Sequence, residues 1–198
     1  MTRRRQRFGV WTDSAGAGYR VLMTMPESPE LAVISHDSFT AGIAVIAAQI
    51  RADDWKPDYL VAIGRGGLVP GAYLSHASGH KLLSVDLSTE EFGFSGALLH
   101  ELAEKTQAGQ RLLIVDDIND SGSTILYLRD AIMQAGGRLE NIRIAVLLNN
   151  IRSAASVDYA AESIDRAIDK RWFVFPWEAM APEASIIADA EAVPGRLA

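Results

Sequence analysis

Leu112 to Thr124 reads LLIVDDINDSGST. Four branched apolar residues run straight into two carboxylates and then, three residues on, into a glycine-containing string of hydroxyls. An apolar run this short fits a strand buried on both faces, as the strands of a parallel sheet are. The polar residues after it lie at the carboxyl end of that strand, where open α/β sheets place their ligands. The stretch therefore predicts both a layered α/β fold and the position of its site.

The flanking chain supplies the rest of such a fold. Downstream, Ser123 to Gln134 has helical spacing and ends at Gly136 and Gly137, as a helix with glycine after its last turn does. Ile142 to Leu148 is a second β-branched run, and Trp172 to Phe175 a late aromatic one. Upstream, Phe39 to Ala52 is spaced as a helix with Ser35 or Ser38 as N-cap. Tyr59 to Ile63 is a short buried strand followed by the turn GRGGLVPG and a small-residue helix near Gly71 to Ala77. Leu82 to Val85 is another strand, Leu98 to Thr106 a helix, and Gly109 a break. Alternating strands and helices predict a mostly parallel twisted sheet with helices on both faces. Asp86 to Gly96, DLSTEEFGFSG, lacks a sustained period and reads as a long mobile loop, a candidate lid. No repeat or linker divides the 198 residues, so the expectation is one domain over 1–198.

Composition narrows the function. With 48% hydrophobic and 22% charged residues the chain reads as a folded soluble protein, and no apolar run reaches the roughly 20 residues that span a bilayer. MTRRRQRFGVW has basic residues without an apolar segment behind them, so a cytoplasmic location is expected and no membrane partner. A net charge of −6 disfavours nucleic acid as a partner, because backbone affinity needs clustered Lys and Arg; the run Arg3 to Arg7 reads as a solvated terminus. The absence of cysteine removes disulfides, thiolate metal ligands and a thiol nucleophile.

The acidic turn itself points to an anion with hydroxyls. Asp120 to Thr124 places main-chain amides and three hydroxyls at a helix start, with Gly122 permitting tight curvature, and such a cradle binds phosphate. No lysine comes after the glycine, so it is not a nucleoside-triphosphate loop of the GxxxxGK[ST] kind. Asp116 and Asp117 beside a phosphate would repel it unless they meet sugar hydroxyls or a hard divalent cation such as Mg²⁺. A ribose 5-phosphate group satisfies both halves of the turn. A plain helix cap with aspartates as turn formers is the competing reading.

Taken with two further motifs, the turn resembles the signature of the type I phosphoribosyltransferases, in which an apolar strand leads to two acids and then Asp-Ser/Thr-Gly-x-Thr. Here that is Val115 to Thr124. AIGRGGLVPG, Ala62 to Gly71, is similar to the pyrophosphate loop of the purine members, and WFVFPWE, Trp172 to Glu178, to the base-binding hood of the xanthine-guanine and hypoxanthine enzymes. The resemblance implies the type I fold, with a core over about 35–160 and a hood over about 165–180 to which the N-terminal part contributes. It implies transfer of phosphoribosyl from 5-phosphoribosyl 1-pyrophosphate to a purine nitrogen, with Mg²⁺ as cofactor and a homodimer or homotetramer as the assembly.

Residue by residue, the resemblance gives Asp116 and Asp117 to the ribose hydroxyls and, through water, to the metal. Ser121, Gly122, Ser123 and Thr124, with Asp120, grip the 5′-phosphate. Asp120 also faces the purine N7 as general acid/base or as a positioning group. Arg65, Gly66 and Gly67 cradle pyrophosphate, on a loop that in this family often carries a cis non-proline peptide, here Gly64–Arg65. Trp172 stacks on the base, the Phe173 main chain reads its edge, and Glu178 lies near the 2-position or a second metal.

The match breaks after Leu148. Where purine members present a lysine for the 6-oxygen, Asn150-Ile151-Arg152-Ser153 stands here. Asn150 can donate to a carbonyl or accept from an amino group, which leaves 6-oxo and 6-amino bases both open, and Arg152 is the next candidate for the charge. The residues thus allow a salvage enzyme for xanthine, guanine or hypoxanthine, an enzyme for another base, or a non-catalytic regulator that senses 5-phosphoribosyl 1-pyrophosphate. His76 and His80 lack an acidic partner in the HExxH manner, and the tail after Pro182 carries no motif.

Overall fold

A computed structural model of the protein describes residues 11–12, 18–19, 29–86 and 96–192. Arg3 to Arg7 and all but the two ends of the expected loop from Asp86 to Gly96 lie outside them. In chain order the elements are β1 (Trp11–Thr12), β2 (Gly18–Tyr19), β3 (Leu31–Val33), α1 (His36–Ala52), β4 (Tyr59–Gly64), α2 (Leu68–Ser78) and β5 (Lys81–Asp86). They continue with α3 (Gly96–Gln107), β6 (Leu112–Asn119), α4 (Ser123–Gln134), β7 (Ile142–Asn150), β8 (Tyr159–Ile164), β9 (Trp172–Val174) and α5 (Glu183–Glu191).

Five of the strands form one sheet in the order β5-β4-β6-β7-β8, every pair parallel. β6 lies at its centre, and the alternation of its side chains explains why its sequence is apolar without interruption. Leu113 and Val115 face one layer, with Leu60, Ala145 and Leu147 of neighbouring strands and Phe39, Ile43, Ile46 and Ile50 of α1. Leu112 and Ile114 face the other, with Val61, Ile63, Ile144 and Val146 and with Leu102, Leu128 and Ile132 from α3 and α4. Both layers exclude water, so neither face of the strand tolerates a polar residue until the sheet's carboxyl edge.

Local chemistry fixes the helix ends. The Ser35 hydroxyl accepts from the Ser38 amide at 3.0 Å, capping α1, while Asp37 and Arg51 complement its dipole in the first and last turns. β1 and β2 pair antiparallel, and β3 and β9 form a separate two-stranded parallel sheet in which Leu31 lies opposite Trp172.

Several elements differ from the sequence-based expectation. α2 begins at Leu68, not near Gly71, and β6 runs on to Asn119, so that Asp116 and Asp117 are strand residues and not part of a turn. β3, β8 and α5 carry no clear sequence signal. β8, YAAESI, is a half-exposed edge strand without a sustained apolar alternation, held by its main-chain pairing with β7.

Candidate active site

Most of the functional candidates converge at the carboxyl ends of β4 and β6. A cleft of about 700 Å³ is lined by Ile63 to Gly66, Asp116, Asp117 and Thr124 on one side. Trp172, Trp177, Glu178, Ala181, Ser185, Ile186 and Asp189 line the other. A smaller cavity of about 300 Å³ is lined by the continuous run Asp116 to Ile125 and shares Asp116, Asp117 and Thr124 with the first.

The loop after β4 is shaped by close approach. The Gly64–Arg65 peptide is cis, at the bond the sequence singled out. Gly67 donates its amide to the Ile63 carbonyl at 2.7 Å and leads into α2. A Cβ on Gly67 would sit 2.2 Å from the Val115 carbonyl oxygen, so only glycine lets this loop lie against β6.

Asp116 and Asp117 are both buried. Burial, and then the charge of Asp117, push the Asp116 carboxyl well above the usual carboxylate range, although the Asp117 amide, donating to Asp116 Oδ1 at 3.0 Å, offsets part of this. Two carboxylates confined this way favour hydroxyl donors or a hard cation beside them. Among the described residues no group of three or more His, Cys, Asp or Glu side chains is placed to hold a metal. Mg²⁺ at Asp116 and Asp117 would draw the rest of its shell from water and ligand oxygens.

The turn expected to cradle a phosphate comes next in the chain. Gly122 has φ +88°, and a Cβ there would lie 2.6 Å from both the Ala155 amide nitrogen and Ser153 Oγ. Ser121 and Ser123 place their hydroxyls 2.9 Å apart at the start of α4. The loop after β7 supports them. Asn119, fully buried, donates to Asn149 Oδ1 and the Ala155 carbonyl and accepts from Ser153 Oγ, each at 2.8 Å, while the Ala154 amide donates to the Ser121 carbonyl at 3.1 Å. Ser153, at the point where the sequence match breaks, thus braces the cradle.

One expected base contact, Asn150, takes another arrangement, and Arg152, the next candidate, is a surface residue. Asn150 is buried and lines neither cavity; its Nδ2 donates to the Asp120 carbonyl at 2.9 Å, and its Oδ1 accepts from the amides of Arg152 and Arg166 at 3.1 and 3.3 Å. The side chain is committed to main chain and serves as a structural tie. Arg152 forms a two-point ion pair with Asp165 away from both cavities, which raises the Arg152 pKa and lowers that of Asp165 through the shared hydrogen bonds.

On the aromatic side, Trp172 lines the large cleft, whereas Phe173 lies under the guanidinium of Arg166, 4.8 Å from the ring centroid. Glu178 Oε2 accepts the Phe175 amide at 2.9 Å, holding the turn that presents it. Three contributors were given no role of their own by the sequence. Trp177 stacks on Phe175 with centroids 5.0 Å apart and meets Phe39 edge-on at 5.4 Å, fixing the wall. α5 closes the cleft with Ser185, Ile186 and Asp189, although its sequence shows only a weak apolar stripe. Arg166 pairs with Asp120, a contact no spacing along the chain announces.

Residues 33–183 match the model of the family described as the phosphoribosyl transferase domain. A xanthine-guanine phosphoribosyltransferase of Gluconobacter oxydans is 25% identical over 158 residues, spanning 77% of this chain and 88% of that protein. One of Idiomarina loihiensis is 26% identical over 133 residues, spanning 66% and 75%. Among solved structures, a purine phosphoribosyltransferase from Pyrococcus horikoshii is similar with a TM-score of 0.58 and 26% identity, covering 75% of this chain and 94% of that one.

Proposed function

The chain belongs to the phosphoribosyl transferase family, and from that premise and the contents of the cleft we propose a purine phosphoribosyltransferase of nucleotide salvage. It transfers the 5-phosphoribosyl group of 5-phosphoribosyl 1-pyrophosphate to xanthine, guanine or hypoxanthine. The observation that carries this reading is the single cleft that brings the Gly64–Gly66 loop, Asp116 and Asp117, and Trp172 and Glu178 face to face. Relatives named for xanthine and guanine support the choice of acceptor.

In the reaction the bond between the anomeric carbon and pyrophosphate oxygen breaks, the electron pair leaves with pyrophosphate, and a purine nitrogen bonds to that carbon. Positive charge develops on the ribose ring. Asp116 and Asp117 lie on that side, binding the ribose hydroxyls, while Arg65 and the loop amides meet the leaving anion; charge is separated in the favourable sense. Mg²⁺, held through water by Asp116 and Asp117, would neutralise pyrophosphate. Asp120 to Thr124 hold the 5′-phosphate, Trp172 stacks on the base, the Phe173 main chain reads its edge, and Glu178 stands near its 2-position. Asp120 accepts the proton that the acceptor purine loses. The protein acts in the cytoplasm as a homo-oligomer; no helix among the described residues is long and apolar enough to cross a membrane.

The test is a panel of xanthine, guanine, hypoxanthine and adenine with labelled 5-phosphoribosyl 1-pyrophosphate and Mg²⁺, scored for nucleotide. Product from the 6-oxo bases, lost in Asp116→Asn with Asp117→Asn, is expected. Product from adenine alone would move the acceptor to 6-amino bases, a reading that the commitment of Asn150 to main chain leaves chemically open. Tight binding of 5-phosphoribosyl 1-pyrophosphate with no nucleotide from any base would identify a sensor.

A further inference from the structure

We propose that Arg166 is a positioning residue that aims Asp120 at the acceptor base and locks the hood to the phosphate cradle. The inference rests on the proposed function, in which Asp120 faces the purine. Arg166 belongs to no motif of the sequence; it sits in the turn between β8 and β9 and is 9% exposed. Its Nε donates to Asp120 Oδ1 at 3.1 Å and its Nη2 to Oδ2 at 2.9 Å. Nη1 donates to the carbonyls of Arg171 and Asp169 at 2.6 and 3.3 Å, and the guanidinium lies over Phe173.

This geometry removes freedom that a phosphate-cradle aspartate otherwise keeps. The terminal torsion of an aspartate is a broad, roughly two-fold rotor. A two-point pairing with a planar guanidinium fixes the plane of the carboxylate as well as its position. The guanidinium is itself immobilised by two carbonyls and an aromatic face, so it serves as a rigid template. Asn150 holds the same aspartate from behind, donating to the Asp120 carbonyl while accepting the amide of Arg166. Asp120 is thus gripped at main chain by Asn150 and at side chain by Arg166, which also lies over Phe173.

Energetics favour a task over mere stability. Burying an ion pair costs more desolvation than its attraction regularly returns, and apolar replacements are often as stable or more so. A pair kept at the join of two substrate-binding segments is explained by the geometry it imposes. With the carboxylate registered to the hood, the group that meets the base nitrogen moves together with the strand that reads the base edge. A displacement of about 1 Å at such a group costs on the order of a hundredfold in rate.

The experiment compares the parent with Arg166→Lys, Arg166→Gln, Asp120→Asn and the double variant Asp120→Asn/Arg166→Gln. Each is measured for kcat, for KM of both substrates and for Tm. Arg166→Gln should lower kcat by about ten- to a hundredfold and raise KM for the base, leaving KM for 5-phosphoribosyl 1-pyrophosphate within about twofold. Arg166→Lys, which keeps the charge and loses the fork, should fall between. In the Asp120→Asn background Arg166→Gln should change kcat less than about threefold, while Tm recovers because neither buried charge is left unpaired. Losses that multiply in the double variant, or KM values that rise together for both substrates, would overturn the proposal in favour of a structural ion pair. A parent that makes no nucleotide from any base of the panel defeats the acceptor reading, and this one with it.

Discussion

Asp116 sets function against stability within one side chain. Its carboxyl lies well above the usual range, chiefly through burial and then through Asp117. A group whose folded pKa is raised binds more protons folded than unfolded, so its contribution favours the native state below the unfolded value, near 3.8, and is lost as pH rises through the folded value. Removing the charge should therefore stabilise the ligand-free protein at neutral pH. Asp116→Asn is expected to raise Tm at pH 7 and to flatten the decline of stability above pH 3.8, while lowering kcat/KM by about a hundredfold. Calorimetry across pH beside steady-state rates checks both halves; a lower Tm at pH 7 would mean that the acid is held by partners that outweigh its burial. The acids, Gly122 and Trp172 were readable because each belongs to a short stretch whose chemistry is local. Arg166 was not, because its partner lies 46 positions away and its meaning is spatial.

At the scale of elements, α5 forms the wall that the sequence left blank. Nine residues, EASIIADAE, bury only Ala190 fully, and an apolar stripe so slight gives periodicity nothing to detect. β3 failed for a kindred reason: three residues form a strand only because β9 lies beside them. β6 shows the converse, since a strand sealed on both faces must be apolar throughout and declares itself. Because Ile186 and Asp189 line the cleft without entering either layer of the core, their loss should be felt by the acceptor and not by the fold. Ile186→Ala and Asp189→Ala should each raise KM for the base, by up to about tenfold, with Tm little changed. Equal kinetics for parent and variants would show that α5 covers the cleft without touching the acceptor.

The whole molecule has a braced end and a working end. Opposite the cleft, where β7 and β8 begin, Arg143 Nη1 donates to Asp53 Oδ2 at 2.6 Å and to the Tyr159 hydroxyl at 2.7 Å, with its guanidinium 4.8 Å from the Trp55 ring centroid. The Trp55 amide, then Arg143, hold the Asp53 carboxyl below its ordinary value. The two-stranded sheet at the working end is a slighter pairing. There β3 and β9 are three residues each, joined by the Trp172 amide donating to the Glu30 carbonyl at 2.7 Å and that of Ile34 to the Val174 carbonyl at 2.9 Å, although they stand about 140 positions apart in the chain. Phe175 and Trp177 anchor this segment to Phe39 in the core, but the strand pairing itself is short, and it is expected to open at a lower free energy than the five-stranded sheet. Rising urea should therefore extinguish nucleotide synthesis at a lower midpoint than it melts the far-ultraviolet circular dichroism of the sheet, and coincident midpoints would show a single cooperative unit. Between the two midpoints the chain would persist as a folded body able to grip a sugar phosphate yet blind to bases, so the lifetime of the β3–β9 pairing, more than the sheet's, would set how long a molecule remains an enzyme.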